Sequence, residues 1–475
     1  MLKNSSLPAN WLIRTVPTDV WRHIFGIFHR EFTSSIAALD IICTTHVCSR
    51  WRSIINGAPE LWTKVDVEAR CYREFCWAGP NVECLALVLS RSQGLPLTMS
   101  LVTANRSPER SDLEPIKAFM RAINRAKTLS IATSFAYSVR LLHPLALMEL
   151  RDGLKPEPPL FLEELVLDGG IWIDGAITLL SDAWKDAPAL KSVSIKDGPC
   201  LGESIYDAKS AYLPLHQLAV LWIELHIEDL FKILSSTPRL VTGVFHITAW
   251  NGLHQTHTQF VRLDFLRDLT AHAVLEEDEV ESEINYADRN EPEMRILEFI
   301  SSPSLVKLSL CFWRHMWCLA SFPKFIDISS SPRIEEFHLD ATSGSQEDKI
   351  ECLKRLPFLR KLDMTIDHYV EEWREERYIG EVFWAALQEW DAEAEEFIVC
   401  PYLEKITVGY NAVSTSRVAW TAFAHMAKER WRRSTGSQKF ELIITDAYEL
   451  EEDGELSNLS PLLYLEKYGF NLTIY

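Results

Sequence analysis

The chain lacks most of the motifs that announce chemistry. It has no Gly-x-Gly-x-x-Gly, no Gly-x-x-x-x-Gly-Lys-Ser/Thr, no Gly-x-Ser-x-Gly and no His-Glu-x-x-His. Dinucleotide binding, P-loop phosphate binding, a nucleophile elbow and a zincin helix therefore have no motif to rest on. None of its ten cysteines forms a Cys-x-x-Cys pair. Cys43/Cys48 and Cys71/Cys76 are spaced too loosely for a zinc knuckle, with no second ligand pair at zinc-finger distance. His254 and His257 lie near each other but lack a carboxylate at metal spacing. Neither a cofactor nor intrinsic catalysis is expected.

Long apolar runs are also missing. No segment reaches the ~18 consecutive apolar residues of a membrane span, and the opening MLKNSSLPANWLIRTVP has no apolar stretch of signal-peptide length. The expected location is cytoplasmic or nuclear, with no membrane partner. Basic charge is in short supply: 48 Lys and Arg against 67 Asp and Glu give a net charge of −19. Residues 1–62 carry six basic against four acidic residues, and the remainder 42 against 63. A body so acidic repels phosphate backbones, so nucleic acid is excluded and a basic or neutral protein is the better partner.

Apolar periodicity, by contrast, is abundant. Pro17 can open a helix, Asp19 suits its first turn, and Val20, Ile24, Ile27 and Phe28 form one stripe. A second helix is expected over 34–43, with Ile36, Leu39 and Ile42 in register, and a third over 45–55, with Val47, Trp51, Ile54 and Ile55. Gly57 and Pro59 end it. Such short helices cannot hide this much Trp, Phe and Ile alone. The stripe is either the core of a bundle packed on the next domain or a protein interface.

In order, Val16-Pro17-x-Asp19-Val20, Ile24-Phe25, Val47-Cys48-x-x-Trp51-Arg52 and Pro59-x-Leu61-Trp62 resemble the F-box, over residues 13–62. That family usually begins Leu-Pro-x-Glu, so Val16 and Asp19 are mild departures. The resemblance implies a three-helix module that docks on the Skp adaptor of cullin-RING ubiquitin ligases. By position it implies Val16, Pro17, Val20, Ile24, Phe25, Leu39, Val47 and Trp51 as adaptor contacts. Some of these must instead hold the helices together.

Beyond Trp62 a string recurs: Pro, any residue, apolar, two of any, apolar, any, apolar. Copies are PALKSVSI from Pro188, PSLVKLSL from Pro303, PRIEEFHL from Pro332, PFLRKLDM from Pro357 and PYLEKITV from Pro401. PRLVTGVF from Pro238 lacks only the middle apolar position, and KTLSIAT, FLEELVL and LHQLAVL are partial copies. A period in the twenties with this core is the signature of leucine-rich repeats: one strand and one helix per unit, stacked to share a core. The alternative is an ordinary α/β domain with parallel strands. Either way the fold class is α/β.

The expected organisation is a tail over 1–12, the three-helix module over 13–62, a linking segment and repeat cap over 63–125, and an irregular leucine-rich-repeat arc over 126–475. Acidic insertions interrupt the last near 276–293, read as a solvated loop, and 371–396, read as a helix carrying Phe383, Leu387 and Trp390. Residues 419–433 read as a helix whose basic last turn complements its dipole. Taken together the chain resembles the fungal F-box/leucine-rich-repeat family. That implies a substrate-recognition subunit of a Skp-cullin-F-box ligase, itself not an enzyme, with an unknown protein substrate. A non-enzymatic interaction scaffold outside the ubiquitin system is the alternative. On each strand the residues alternating with the apolar positions share the opposite face. Asp168, Lys196, His338, Asp340, Asp363 and Thr365 are the candidate substrate contacts, with Ser309 and Cys311 between them.

Overall fold

The computed structural model describes residues 16–31, 37–72, 75–104, 113–133, 159–168, 184, 187–196, 213–248, 260–273, 294–312, 321–339, 345–365, 379–413, 416–434, 440–445, 459–467 and 469–474. The chain is α/β and divides into two compact units, Met1–Leu218 and Ala219–Tyr475. Among the described residues no helix is long and apolar enough to cross a membrane.

The first unit opens with helices α1 (Thr18–Glu31), α2 (Ala37–Thr45) and α3 (Ser49–Asn56) and a 3-10 turn, Pro59–Trp62. The third helix begins at Ser49, later than its apolar pattern suggests, because Cys48 is its N-cap. Cys48 is extended, and its Sγ accepts the Trp51 backbone N–H at 3.4 Å. Strands β1 (Lys64–Tyr72) and β2 (Phe75–Gly79) form an antiparallel pair. Beside β1 run β3 (Leu97–Ala104), β4 (Ala126–Thr133), β5 (Glu164–Asp168) and β6 (Ser192–Lys196), all parallel. Helices α4 (Val82–Arg91) and α5 (Leu113–Arg121) are the crossovers, and α2 packs on β1 and α4.

The second unit is a long parallel sheet. Its order is β7 (Val220–His226), β8 (Thr242–Thr248), β10 (Asp268–Ala273), β12 (Lys307–Phe312), β13 (Glu336–Leu339), β14 (Lys361–Met364), β17 (Lys405–Gly409), β18 (Glu441–Thr445) and β19 (Asn471–Ile474). Two-residue strands β9 (Val261–Arg262) and β11 (Ile300–Ser301) pair with each other, as do β15 (Trp390–Asp391) and β16 (Glu396–Phe397). Helices α6 (Ile227–Ser236), α7 (Ser321–Ile328), α8 (Gln346–Lys354), α9 (Glu381–Gln388), α10 (Arg417–Arg433) and α11 (Ser460–Glu466) lie in the connections.

The recurring string is visible as geometry. In most copies Pro is the second residue of a four-residue turn closed by the following Leu: Leu240 N–H donates to Thr237 O, Leu305 to Ser302, Leu359 to Leu356 and Leu403 to Cys400, at 3.1–3.3 Å. That Leu, and the two apolar residues of the strand after it, are buried at every copy, as in Leu305, Leu308 and Leu310. At the entrances to β6, β8, β10, β12, β13, β14 and β17 one carbonyl then accepts two successive N–H groups of the chain entering the next strand. Val306 O takes Glu335 N at 2.8 Å and Glu336 N at 3.1 Å; Glu335 O takes Arg360 N at 2.8 Å and Lys361 N at 3.0 Å. The same step recurs at Ala219, Val241, Arg267, Arg360 and, in the first unit, Glu163.

Two departures from the pattern have local explanations. The copy from Pro238 has Gly243 where the others have Val193, Leu308, Phe337, Leu362 and Ile406. A Cβ there would meet Phe245 Cε2 at 2.6 Å, so the larger ring fills the space that the missing side chain leaves. In the acidic stretch near 371–396, Phe383, Trp384 and Leu387 are buried on α9 as the apolar spacing predicts, but Trp390 lies in β15 beyond the helix end. The 276–293 insertion, His254 and His257 lie outside the described residues.

The basic end of α10 does more than complement a dipole. Arg430 is 2% exposed, and its guanidinium donates to three carbonyls: Nε to Leu387 at 2.8 Å, Nη1 to Cys400 at 3.0 Å and Nη2 to Val399 at 2.6 Å. It also lies over the Phe397 ring at 4.3 Å. Burial pulls its pKa down to about 10, which still leaves it charged at neutral pH. The fork suits this task because its donors are planar and fixed. It ties α10 to the segment between α9 and β17, where Cys400 takes a left-handed φ of 48°.

Two outcomes follow for stability in chemical denaturation. Gly243→Ala costs about 1–3 kcal/mol by overpacking, and adding Phe245→Leu recovers part of the loss. Arg430→Ala costs about 3–4 kcal/mol, because three buried carbonyls lose a charged donor, and Arg430→Lys restores less than half.

Candidate functional site

Each unit carries one candidate surface. In the first, the resemblance-derived residues separate by burial. Trp21, Phe25 and Trp51 form an aromatic cluster with ring centroids 5.1–5.6 Å apart, and Phe25 is 3% exposed. Ile54 and Ile55 are buried beside them. Phe25 and Trp51 therefore hold α1 to α3 and are not free contact residues. Val20, Ile24 and Ile27 lie on a different stripe of α1 and are exposed, as is Val47 on the turn between α2 and α3 (59%). Pro17 is exposed and Val16 half-buried, and Leu39 lies on α2 with its side chain outside the description.

Polar stitches join the trio without using that outer stripe. Arg22 donates to Gly57 O at 2.9 Å and Arg52 to Thr45 O at 3.1 Å, each at a helix C-terminus, and Arg50 donates to Val16 O at 2.7 Å just ahead of α1. Trp62 is buried, and its indole N–H donates to Ile55 O at 2.9 Å. It thus belongs to the core under α3 rather than to the outer surface. An open cavity of about 620 Å³ flanks α1, lined by Asp19, Arg22, His23, Gly26, Glu60, Leu61, Thr63, Lys64 and Thr98.

In the same unit Asp168 and Lys196 end neighbouring strands and face each other in register. Asp168 is half-buried and Lys196 exposed.

The second unit brings more of the predicted residues together. Across its strands one row runs Trp222, Val244, Thr270, Ser309, His338, Asp363, Thr407. The next row toward the strand ends holds Glu224, His246, His272 and Cys311 on β7, β8, β10 and β12, with Thr365 just beyond β14. His338 links the rows: its Nδ1 is 3.0 Å from Ser309 Oγ and its Nε2 3.4 Å from Thr365 Oγ1. Thr365 donates its hydroxyl (3.0 Å) and its backbone N–H (3.1 Å) to Asp363 Oδ1. Because Asp363 only accepts, the Thr365 oxygen is left to accept from His338 Nε2–H. Nδ1 then accepts from Ser309, so the relay runs Ser309 to His338 to Thr365 to Asp363 and selects one tautomer. Cys311 Sγ lies 3.8 Å from His338 Nδ1. On the other side the Trp222 and His246 rings are 4.6 Å apart, and the His246 and His272 rings stack at 4.9 Å with a 5° tilt. Asp340 lies outside the described residues.

His246, His272 and Trp222 are absent from the sequence-derived candidates. The signal was present: continuing the alternation of PRLVTGVF past Phe245 reaches His246. β10 has no Pro in its turn, so its copy, Leu266, Leu269 and Ala271, goes unmarked.

At the strand entrances the same face carries a charge ladder. Lys307 pairs with Asp268 at 3.8 Å, Lys361 with Glu336, and Lys405 with Glu441 at 3.3 Å. Burial raises the Asp268 carboxyl, opposed by Lys307 and reinforced by Glu336. Such exposed pairs favour one register more than they stabilise it.

Among the described residues no group of three His, Cys, Asp or Glu is placed to hold a metal. Burial pushes the thiols of Cys352 and Cys400 up, the latter to about 12, so both remain protonated packing groups. No family model matches the chain, and no curated protein matches it.

The division of the helical trio is measurable. Phe25→Ala lowers the stability of the first unit by about 3–5 kcal/mol. Ile24→Ser and Val47→Ser each shift it by less than about 0.5 kcal/mol, as read by thermal unfolding.

Proposed function

We propose that the chain is the substrate-recognition subunit of a Skp-cullin-F-box ubiquitin ligase. Residues 13–62 form the F-box that binds the Skp adaptor, and an irregular leucine-rich-repeat arc binds a protein substrate. The observation that carries this reading is the apolar stripe Val20, Ile24 and Ile27, exposed on α1 although the trio has its own closed core. A helix with a spare apolar stripe is an interface rather than a fold requirement. The resemblance of Val47-Cys48-x-x-Trp51-Arg52 and Pro59-x-Leu61-Trp62 to the family supports the identity of the partner. The chain supplies proximity and performs no chemistry: it raises the effective concentration of a substrate lysine at the transferring enzyme.

The test is co-purification of the full chain with a Skp adaptor. Recovery of the adaptor is expected, lost on Ile24→Asp with unchanged thermal unfolding. If no adaptor is recovered, or if Ile24→Asp retains it, the reading fails and the scaffold outside the ubiquitin system takes its place.

A further inference from the structure

The turns that lead into the strands of the second unit share one exposed position. Ahead of β8, β10, β12, β13, β14 and β17 it is filled by Arg239, Phe265, Ser304, Arg333, Phe358 and Tyr402. Each stands directly before the buried Leu or Ile of its turn. Each also lies three places before a residue that pairs across the sheet, so the six form one row along the strand entrances. Packing asks nothing of this position, since all six are exposed and a serine serves at one of them. Yet three hold aromatic rings, with Phe265 60%, Phe358 43% and Tyr402 57% exposed. Arg333 lies over the Phe358 ring at 5.4 Å, so neighbouring members of the row touch.

The charge of this edge is opposite to that of the chain. The stretches from each turn tip to the first paired position are 239–242, 265–268, 304–307, 333–336, 358–361 and 402–405. Together they hold seven basic and four acidic residues, although the whole chain carries −19. All four carboxylates are already matched: Asp268 with Lys307, Glu335 with Arg333 and Arg360, Glu336 with Lys361, and Glu404 with Arg360. Arg239 and Arg267 are exposed and make no ion pair among the described residues. A carboxylate arriving there meets a planar guanidinium fork without displacing a partner.

We infer that this edge binds an extended acidic segment of a partner protein, with apolar or aromatic side chains between its carboxylates. The rings take the apolar side chains, and Arg239 and Arg267 take the carboxylates. A single exposed ring needs no explanation, whereas a row of them at one register position marks an interface. Aromatic rings beside arginines are the composition of interface hot spots. From β8 to β17 the row spans about 24 Å at strand spacing, the length of about seven extended residues. The site lies wholly in the second unit and uses none of the residues assigned to adaptor docking.

Fluorescence anisotropy with the full chain and labelled peptides of about eight residues tests this. A Glu/Phe peptide binds, a Glu/Ser peptide binds about tenfold more weakly, and a Lys/Phe peptide does not bind. Phe358→Ser with Tyr402→Ser, and separately Arg239→Gln with Arg267→Gln, each weaken binding of the Glu/Phe peptide about fivefold. Thermal unfolding is unchanged in both, because all four side chains are exposed. Ile24→Asp leaves peptide binding intact, so failure of adaptor docking and failure of this site are distinguishable. No binding of the Glu/Phe peptide, equal binding of the Lys/Phe peptide, or unchanged affinity in either double variant overturns the inference. Capture by phosphatidylserine vesicles without peptide binding also overturns it and assigns the edge to a membrane surface. A dimer in light scattering that the aromatic double variant dissociates overturns it in favour of a second copy of the chain.

Discussion

The constraint on which the rest depends is the carbonyl shared at the entrances to β6, β8, β10, β12, β13, β14 and β17. A parallel strand cannot turn back on its neighbour, so its register must be set by something other than a hairpin. Here one carbonyl, using both lone pairs, takes the first two N–H groups of the next strand, as Val306 does for Glu335 and Glu336. The Pro-led turn before it places a buried Leu and holds the chain at a fixed approach. Because side chains alternate with period two, a slip of one residue would turn Leu308 and Leu310 to the outer face and bring Ser309 and Cys311 to the face packed against the helices. The double acceptor and the buried Leu therefore enforce one register jointly.

Once that register holds, the two faces of each strand have separate duties. The helix-facing residues carry the apolar burial and tolerate little: at Gly243 even a methyl would meet the Phe245 ring. Where the chain departs from regular units it needs its own fastening. Arg430 supplies it, binding the carbonyls of Leu387 at the end of α9 and of Val399 and Cys400 before β17. Outward residues carry less of the apolar burial, and imidazoles, an indole and carboxylates gather there on β7 to β14.

Much of this was legible in the sequence, for physical reasons. The copies led by Pro188, Pro303, Pro357 and Pro401 all produce strands, because a turn residue and three apolar positions at fixed offsets are local features. The α/β class and the parallel strands follow from them. Less local facts were illegible. Cys48 has the composition of a helix-face residue but acts as an N-cap, since its Sγ reaches the Trp51 N–H. Arg430 sits in a run of basic residues, and nothing in the run distinguishes the one that points inward. The histidine stack depends on β8 and β10, whose markers are a glycine in place of an apolar residue and a turn without Pro. Relays such as Ser309 to Asp363 join residues more than fifty positions apart and exist only once three strands are aligned.

The helical trio shows the same separation of duties at a smaller scale. Its aromatic residues, Trp21, Phe25 and Trp51, close a core between α1 and α3, and Trp62 anchors that core from below through Ile55. Arginines Arg22, Arg50 and Arg52 satisfy carbonyls at helix ends that would otherwise need water or a partner. The trio, with α2 packed on β1 and α4, keeps Val20, Ile24 and Ile27 in solvent. Burying one such side chain gains about 1.5–3 kcal/mol, so a stripe of three is enough to matter in binding and too little to cause collapse alone. A preformed module with a modest apolar stripe loses little conformational entropy on docking. The exposed stripe is thus made by the same residues that made it readable as a period in the sequence, and it stands apart from the aromatic contacts that join α1 to α3.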